Sequence, residues 1–230
     1  MDRESFSLSE GIVKGSGIIA EFKRRSPSKQ VINHSSSIID VVRGYEKSGV
    51  SGISVLADTK YFGGALDDLI QARDQVNVPL LRKEFIIDPY QIYEAKAFGA
   101  DAVLLIAAVL SPEEVVTFSA TAQELGLEVL LEIHNEEELR RSDLTHIDLV
   151  GVNNRNLKTF EVSLETSKEL GPKIPDSKVK ISESGISSTR AIKALKPVGF
   201  KGFLIGENFM RTEDPAAAAY KFLKELNDEG

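Results

Sequence analysis

Short β-branched or leucine-rich runs alternate with longer amphipathic segments along the whole chain. Eight runs read as strands: GIIAEFK (17–23), GISVLAD (52–58), PLLRKEF (79–85), AVLLIAA (102–108), EVLLEIH (128–134), LVGVNN (149–154), KVKISES (178–184) and GFLIGEN (202–208). Most are nearly continuous in apolar residues, the pattern of strands covered on both faces, as in a parallel sheet. Between them, segments such as SSIIDVVRGYEKSG (36–49), DPYQIYEAKAFG (88–99), SPEEVVTFSATAQELG (111–126) and STRAIKALK (188–196) have the periodicity of helices. Several open on Ser or Asp just ahead of the periodic run, as N-caps do, and several end at Gly. SPEE adds Pro at the first helical position and acids in the first turn.

Eight β-then-α units in 230 residues predict an α/β protein, a (β/α)₈ TIM barrel, a fold that typically takes about 250 residues. The competing doubly wound sheet usually carries a Gly-rich turn after its first strand. Here that strand ends in KRRSPSKQ (23–30), without Gly. No low-complexity tract, charge block or Pro-rich spacer divides the chain, so residues 1–230 are expected to form one domain.

In a barrel of this kind the chemistry sits at the C-terminal ends of the strands. Those ends carry Glu21 and Lys23, Arg82 to Glu84, Glu132 and His134, Asn153 to Arg155, Glu183 and Ser184, and Gly206 to Asn208. Side chains alternate along a strand. Glu21 therefore shares a face with Lys23, Leu81 with Lys83 and Phe85, Leu130 with Glu132 and His134, and Ile181 with Glu183. Ionisable groups on several apolar strands thus converge on one mouth, where burial requires that they pair with each other or with a ligand. The fourth strand ends without a polar residue. It is either plain core or, with Phe62 and Phe85, an apolar wall for an aromatic ring. Gly185 and Gly206 follow strands seven and eight, where barrels often hold phosphate on backbone N–H groups.

Composition narrows the chemistry. With no cysteine, the chain excludes disulfides, thiolate nucleophiles and Cys-ligated metals. His34, His134 and His146 show no metal-ligand spacing, His134 reading as a rim or capping residue, so no metal is expected. A net charge of −7 argues against a nucleic-acid partner but not against a small anionic substrate met by local cations. No apolar stretch approaches the ~20 residues of a membrane span, and MDRESFSLSE lacks an apolar signal core. A cytoplasmic protein without a membrane partner is expected, its oligomeric state open and a monomer allowed.

The segments IAEFKRRSPSK, KYFGGALDDL, LRKEF, LLEIHN, GVNNRNL, ISESGI and FLIGENFM, in that order and at barrel spacing, resemble the successive motifs of the indole-3-glycerol phosphate synthase family. The resemblance runs from about Gly17 to the C-terminus. It implies a carboxy-lyase of tryptophan biosynthesis that needs no cofactor. Its phosphorylated substrate, 1-(2-carboxyphenylamino)-1-deoxyribulose 5-phosphate, closes to an indole with loss of carbon dioxide and water. It further implies Lys83 as the general acid of ring closure, Glu132 in the acid–base steps, and Glu21 and Lys23 completing the catalytic set. Ser26, Asn153, Arg155, Glu183 and Ser184 fall on substrate-orienting positions. Lys23, Gly185, Gly206 and Glu207 fall on the phosphate side.

Two departures stand out. Gln30 replaces the Gly usual after SPSK, which predicts altered motion of the first loop through the restriction of positive φ. The family usually carries a longer N-terminal extension with helices near the mouth, whereas MDRESFSLSEGIVKG has room for one short helix. This shortened extension predicts weaker N-terminal substrate contacts. Among rival readings, phosphoribosylanthranilate isomerase uses a Cys/Asp pair, and this chain has no Cys. Histidine-pathway isomerases use paired Asp at strand ends, also absent here. A catalytically silent phosphate-binding barrel is the reading from another class, opposed by the joint presence of Glu21, Lys23, Lys83 and Glu132.

Overall fold

The computed structural model describes residues 5–228; Met1–Glu4 of the N-terminal segment lie outside them. The chain runs α1 (Leu8–Lys14), β1 (Ile18–Phe22), α2 (Ile38–Ser48), β2 (Gly52–Leu56), α3 (Thr59–Phe62), α4 (Leu66–Arg73), β3 (Leu80–Lys83), α5 (Tyr90–Ala97), β4 (Ala102–Ile106) and α6 (Pro112–Glu124). It continues β5 (Glu128–Ile133), α7 (Glu136–Arg141), β6 (Leu149–Asn153), α8 (Glu165–Leu170), β7 (Val179–Glu183), α9 (Thr189–Leu195), β8 (Phe200–Ile205), α10 (Glu207–Met210) and α11 (Pro215–Asp228). All neighbouring strands pair in parallel, and β8 returns to β1 through Ile18 and Phe203, so the sheet closes as β1 to β8 in sequence order. This is the expected (β/α)₈ barrel.

The near-continuous apolar runs have their explanation in two cores. Facing the lumen, Ile19, Leu81, Leu104, Leu130, Leu149, Ile181 and Leu204 pack on one another. Facing outward, residues such as Leu80, Val103, Leu105, Val129, Leu131, Val150 and Val152 pack against the helices. Local signals behave as the sequence predicts. Ser111 and Glu114 form a reciprocal capping box with Pro112 at the start of α6, and Gly49 ends α2 at φ 87°.

Every strand ends one to three residues before its expected boundary, the last by the most. Expected over 202–208, β8 spans Phe200–Ile205. Gly206 turns the chain, and Glu207 to Met210 form the short helix α10, so the polar residues leave the sheet as soon as lumen pairing ends.

The one short N-terminal helix is present as α1, but it does not lie near the mouth. Leu8 and Ile12 are buried in the lumen core, at the end where the strands begin. Ser7 and Ser9 donate to the Glu128 carboxylate at the start of β5, at 2.6 and 2.7 Å. The helix therefore plugs the floor of the barrel, because the lumen side chains there would otherwise face water. Leu8 is fully buried against the first residue of β2, Gly52. Leu8→Ala should cost about 2–5 kcal/mol, measured by denaturant unfolding, with kcat of the folded protein unchanged because the plug lies opposite the cavity described next.

Candidate active site

A cavity of about 390 Å³ opens at the C-terminal ends of the strands. The residues expected for catalysis, substrate and phosphate line it: Glu21, Lys23, Ser26, Phe62, Lys83, Phe85, Glu132, Asn153, Arg155, Glu183, Ser184, Gly185, Gly206 and Glu207. The lumen parity read from the strands explains this convergence. Three other polar strand-end residues do not line it: Arg82 turns outward to Gln91 and Glu94, Asn154 is buried against Ser182 and Ser167, and His134 lies behind Glu132. The volume falls in the range of about 300–1,000 Å³ usual for small-molecule sites.

On the cavity floor lies a buried ion cluster. Lys83 Nζ, at the end of β3, sits 3.0 Å from Glu132 Oε2 on β5 and 3.2 Å from Glu183 Oε2 on β7. Lys23 Nζ pairs with Glu21 Oε1 at 2.9 Å, and Ser54 Oγ donates to Glu21 Oε2 at 3.4 Å. Asn153 Nδ2 donates to Glu132 Oε1 at 3.1 Å. Burial disfavours the Lys83 ammonium, but Glu132, Glu183 and Glu21 outweigh it and hold the amine charged well beyond its ordinary range. Burial likewise opposes Glu132 ionisation. Lys83, with support from His134 and Asn153, overcomes it and keeps this carboxylate well below the usual range.

Glu183 goes the other way. Burial dominates, Lys83 offsets it in part, and repulsion from Glu132 adds to it, so the carboxyl rises to about 7. Its Oε1 is buried without a hydrogen-bond partner. The room it occupies comes from Gly151 on β6, where a Cβ would stand 2.2 Å from that oxygen. Two carboxylates around one ammonium thus have different proton affinities, the arrangement that separates acid and base roles.

Above the cluster, Leu104 and Ile106 of β4 and Val109 beyond it line the cavity beside Phe62 and Phe85, whose ring centroids are 6.1 Å apart. The apolar fourth strand is therefore both things considered for it: Val103 and Leu105 face the helices, while Leu104 and Ile106 face the cavity. On the opposite side, the chain turns closely at Gly206. A Cβ there would lie 2.5 Å from Glu21 Oε1 and 3.1 Å from Lys23 Cε. Ser184 adopts φ 65°, a left-handed conformation uncommon for a non-glycine residue, and brings Gly185 to Ser187 to the cavity edge. The Glu207 carboxylate points across the mouth to Lys29 at 3.4 Å, which leaves its backbone N–H, at the start of α10, as the group able to face an anion.

Two loops border the opening. In the first, Ser26 and Lys29 exchange backbone hydrogen bonds, forming a tight turn. Gln30 does not adopt a positive φ, so its Cβ is accommodated without strain. The arginines of KRRSPSK turn away from the cavity floor: Arg24 binds Asp68 through both terminal nitrogens, and Arg25 donates to the carbonyls of Thr59 and Lys60. They fasten the first loop to the segment after β2. In the second loop, Arg155 bridges to Val162, and Asn153 Oδ1 accepts from the Arg155 N–H. Leu157, Phe160 and Val162 of this loop line the cavity, as does Arg211 beyond β8. These residues lie past the strand ends, where strand parity carries no information, so nothing in the sequence pattern marks them.

His134 also lies deeper than the rim position expected for it. Its side chain is 10 % exposed and stands between Glu132 and Glu138. The signal was its shared parity with Glu132.

Glu183 carries a pH signature. In the folded protein its carboxyl titrates near 7, against 4.5 for an unperturbed glutamate. Its protonated form contributes stability that is complete below the unfolded value and is lost as pH rises through the folded one. Unfolding free energy measured from pH ~5 to ~8 should therefore fall more steeply for the wild type than for Glu183→Gln. Parallel curves for the two proteins would contradict the assignment.

Known proteins resemble this chain over most of its length. The family described as indole-3-glycerol phosphate synthase matches residues 4–222. The indole-3-glycerol phosphate synthase of Bacteroides thetaiotaomicron is 52% identical over 211 residues, covering 92% of this chain and 81% of that protein. That of Neisseria meningitidis serogroup B is 48% identical over 204 residues, covering 89% and 78%. Among solved structures, thiamine phosphate pyrophosphorylase from Pyrococcus furiosus superposes with a TM-score of 0.69 at 15% identity, covering 97% of this chain and 98% of that one, a likeness of fold alone. With the family match spanning nearly the whole chain and these identities behind it, the chain belongs to the indole-3-glycerol phosphate synthase family.

Proposed function

We propose that this barrel converts 1-(2-carboxyphenylamino)-1-deoxyribulose 5-phosphate to indole-3-glycerol phosphate, the activity for which its relatives are named. The observation that carries this reading is the Lys83 ammonium held between Glu132 and Glu183, below an apolar wall and across from the Gly206 turn. The substrate needs each part. Its aromatic ring suits the wall of Leu104, Ile106, Phe62 and Phe85. Its phosphate suits the N–H groups around Gly185, Gly206 and Glu207, with Lys23 and Arg211 as nearby cations. Arg155, Ser26 and Ser184 also line the cavity and offer polar groups to orient the rest of the substrate. A small anion met by local cations also accommodates the net charge of −7, which disfavours a nucleic-acid partner.

The chemistry follows from the proton affinities. The ring carbon bearing the carboxylate attacks the ketone carbon, and the ketone oxygen takes a proton from Lys83. Carbon dioxide then leaves and the bond to the carboxylate carbon supplies the electrons that restore the aromatic ring. The new hydroxyl departs as water after protonation, while a base removes the proton whose loss completes the indole. Glu132, held ionised, is the counter-ion that keeps Lys83 loaded and aimed. Glu183, poised near 7, is the carboxyl matched to giving and taking a proton at neutral pH. This shifts to Glu183 a share of the acid–base work that sequence resemblance gives to Glu132. Glu21 holds Lys23 in place.

Indole fluorescence should appear when the purified protein meets the carboxyphenylamino-ribulose phosphate, and its absence would defeat the assignment. Removing a general acid or base typically costs about 10²–10⁴-fold in rate. Lys83→Ala should lower kcat by that order with a much smaller effect on substrate Kd. Lys83→Arg should not rescue it, because guanidinium does not release its proton. Glu132→Gln should lose kcat strongly as well. If these three variants fold and turn over within about fivefold of wild type, the pair is structural rather than catalytic.

A further inference from the structure

The contacts of His134 exceed what a rim residue needs. Its Nε2 lies 3.3 Å from Glu132 Oε1, and its Nδ1 lies 3.1 Å from Glu138 Oε2. The Nδ1 contact is a hydrogen bond, whereas Nε2 is buried beside Glu132 at ion-pair distance without a hydrogen-bond partner. In a neutral imidazole only one nitrogen carries a proton, so the lone pair of the other would face a carboxylate; both contacts are attractive only in the imidazolium. Glu138 is itself fixed for this purpose. The His134 backbone N–H donates to its Oε2 at 2.7 Å, Asn135 Nδ2 donates to its Oε1 at 2.7 Å, and Asn135 Oδ1 accepts from its backbone N–H at 2.9 Å.

We propose that His134 is a positioning residue that acts through Glu132: as an imidazolium shared between Glu132 and Glu138, it fixes the Glu132 carboxylate and supplies its second positive partner. The proposal rests on the reaction assigned above to Lys83 and Glu132. Glu132 Oε1 accepts from Asn153 and has the His134 ring beside it at ion-pair distance, while Oε2 faces Lys83. When Lys83 gives its proton to the ketone, it loses its charge. Without His134, Glu132 would then be a buried, uncompensated carboxylate, a costly state that would oppose the transfer. With the imidazolium in place, the charge of Glu132 stays compensated through the step.

The surroundings maintain that charge. Burial opposes protonation of His134, but Glu132 and Glu138 outweigh it and raise the ring to about 9. The other charged groups of the neighbourhood are Lys83 on β3 and Glu183 on β7, which meet His134 through Glu132. On α7, Arg141 is committed to the Ala107 carbonyl, and Asn153 on β6 is neutral.

The protonation state can be read without activity. Imidazole ¹⁵N resonances, with His34 and His146 removed by substitution for assignment, should show His134 doubly protonated at pH ~7.5 and titrating near 9. A singly protonated ring at that pH would overturn the proposal whether or not the protein makes indole. Steady-state kinetics then test the coupling. Loss of a charge-assisted contact predicts that His134→Gln lowers kcat by about 10- to 100-fold with little change in KM, and abolishes the alkaline limb near pH 9. In a Glu132→Gln background the same substitution should add almost nothing. Should His134→Gln fail to fold, Glu138→Gln serves instead, shifting both the ¹⁵N midpoint and the alkaline limb to lower pH. An unmoved pH profile, or full additivity with Glu132→Gln, would show a merely structural histidine. Absence of turnover in the wild type would refute the assigned reaction, and the NMR titration would still decide the charge state.

Discussion

The site depends on one constraint: a lysine ammonium is held inside a barrel, and its charge must be balanced there. Lys83 is 14 % exposed at its side chain, Glu132 4 % and Glu183 2 %. A buried charge without partners is prohibitive, and a pair is tolerated only where geometry and further hydrogen bonds satisfy it. The barrel meets this by taking one residue from each of three strands and adding Asn153 from a fourth. The arrangement is asymmetric. Glu132 collects donors and stays ionised, whereas Glu183 keeps an oxygen without a partner and titrates near neutrality. Two chemically identical side chains acquire different proton affinities from their surroundings alone.

The rest of the fold protects that asymmetry. Below the charges, the lumen is filled mostly by leucines and isoleucines, and Leu8 and Ile12 of α1 pack beneath them. Above the charges, the cavity opens between the two bordering loops. The first loop is anchored by Arg24 and Arg25 to the segment after β2 rather than left to swing freely. Charges that look as though they belong to the site in the KRRSPSK stretch thus divide: Lys23 enters the mouth, and the two arginines brace the loop that covers it.

Close approach is the second recurring device. Gly151 leaves space for the Glu183 carboxyl, and Gly206 lets the backbone run against Glu21 and Lys23. In both places a side chain would push an ionisable group out of the cluster, so the missing Cβ is as much part of the site's electrostatics as the charges are.

Much of this was legible along the chain. Doubly buried strands, helix caps such as Ser111 with Glu114, and the lumen parity of Glu21, Lys83, Glu132 and Glu183 are local properties: each follows from the period of its own segment, whatever it packs against. Hence the barrel and the convergence of its charged strand ends could be read before any coordinates. The sequence could not say which charges meet. Lys83 finds Glu132 and Glu183 only because barrel closure, register and strand tilt set distances between residues far apart in the chain. The same holds for His134, whose parity was visible but whose second partner, Glu138, lies on the following helix and reaches back only because Asn135 holds it there. It holds too for α1: the segment before β1 shows room for one short helix, while the open floor of the barrel decides where Leu8 and Ile12 are buried. Periodicity is fixed by neighbours in sequence, and pairing is fixed by neighbours in space.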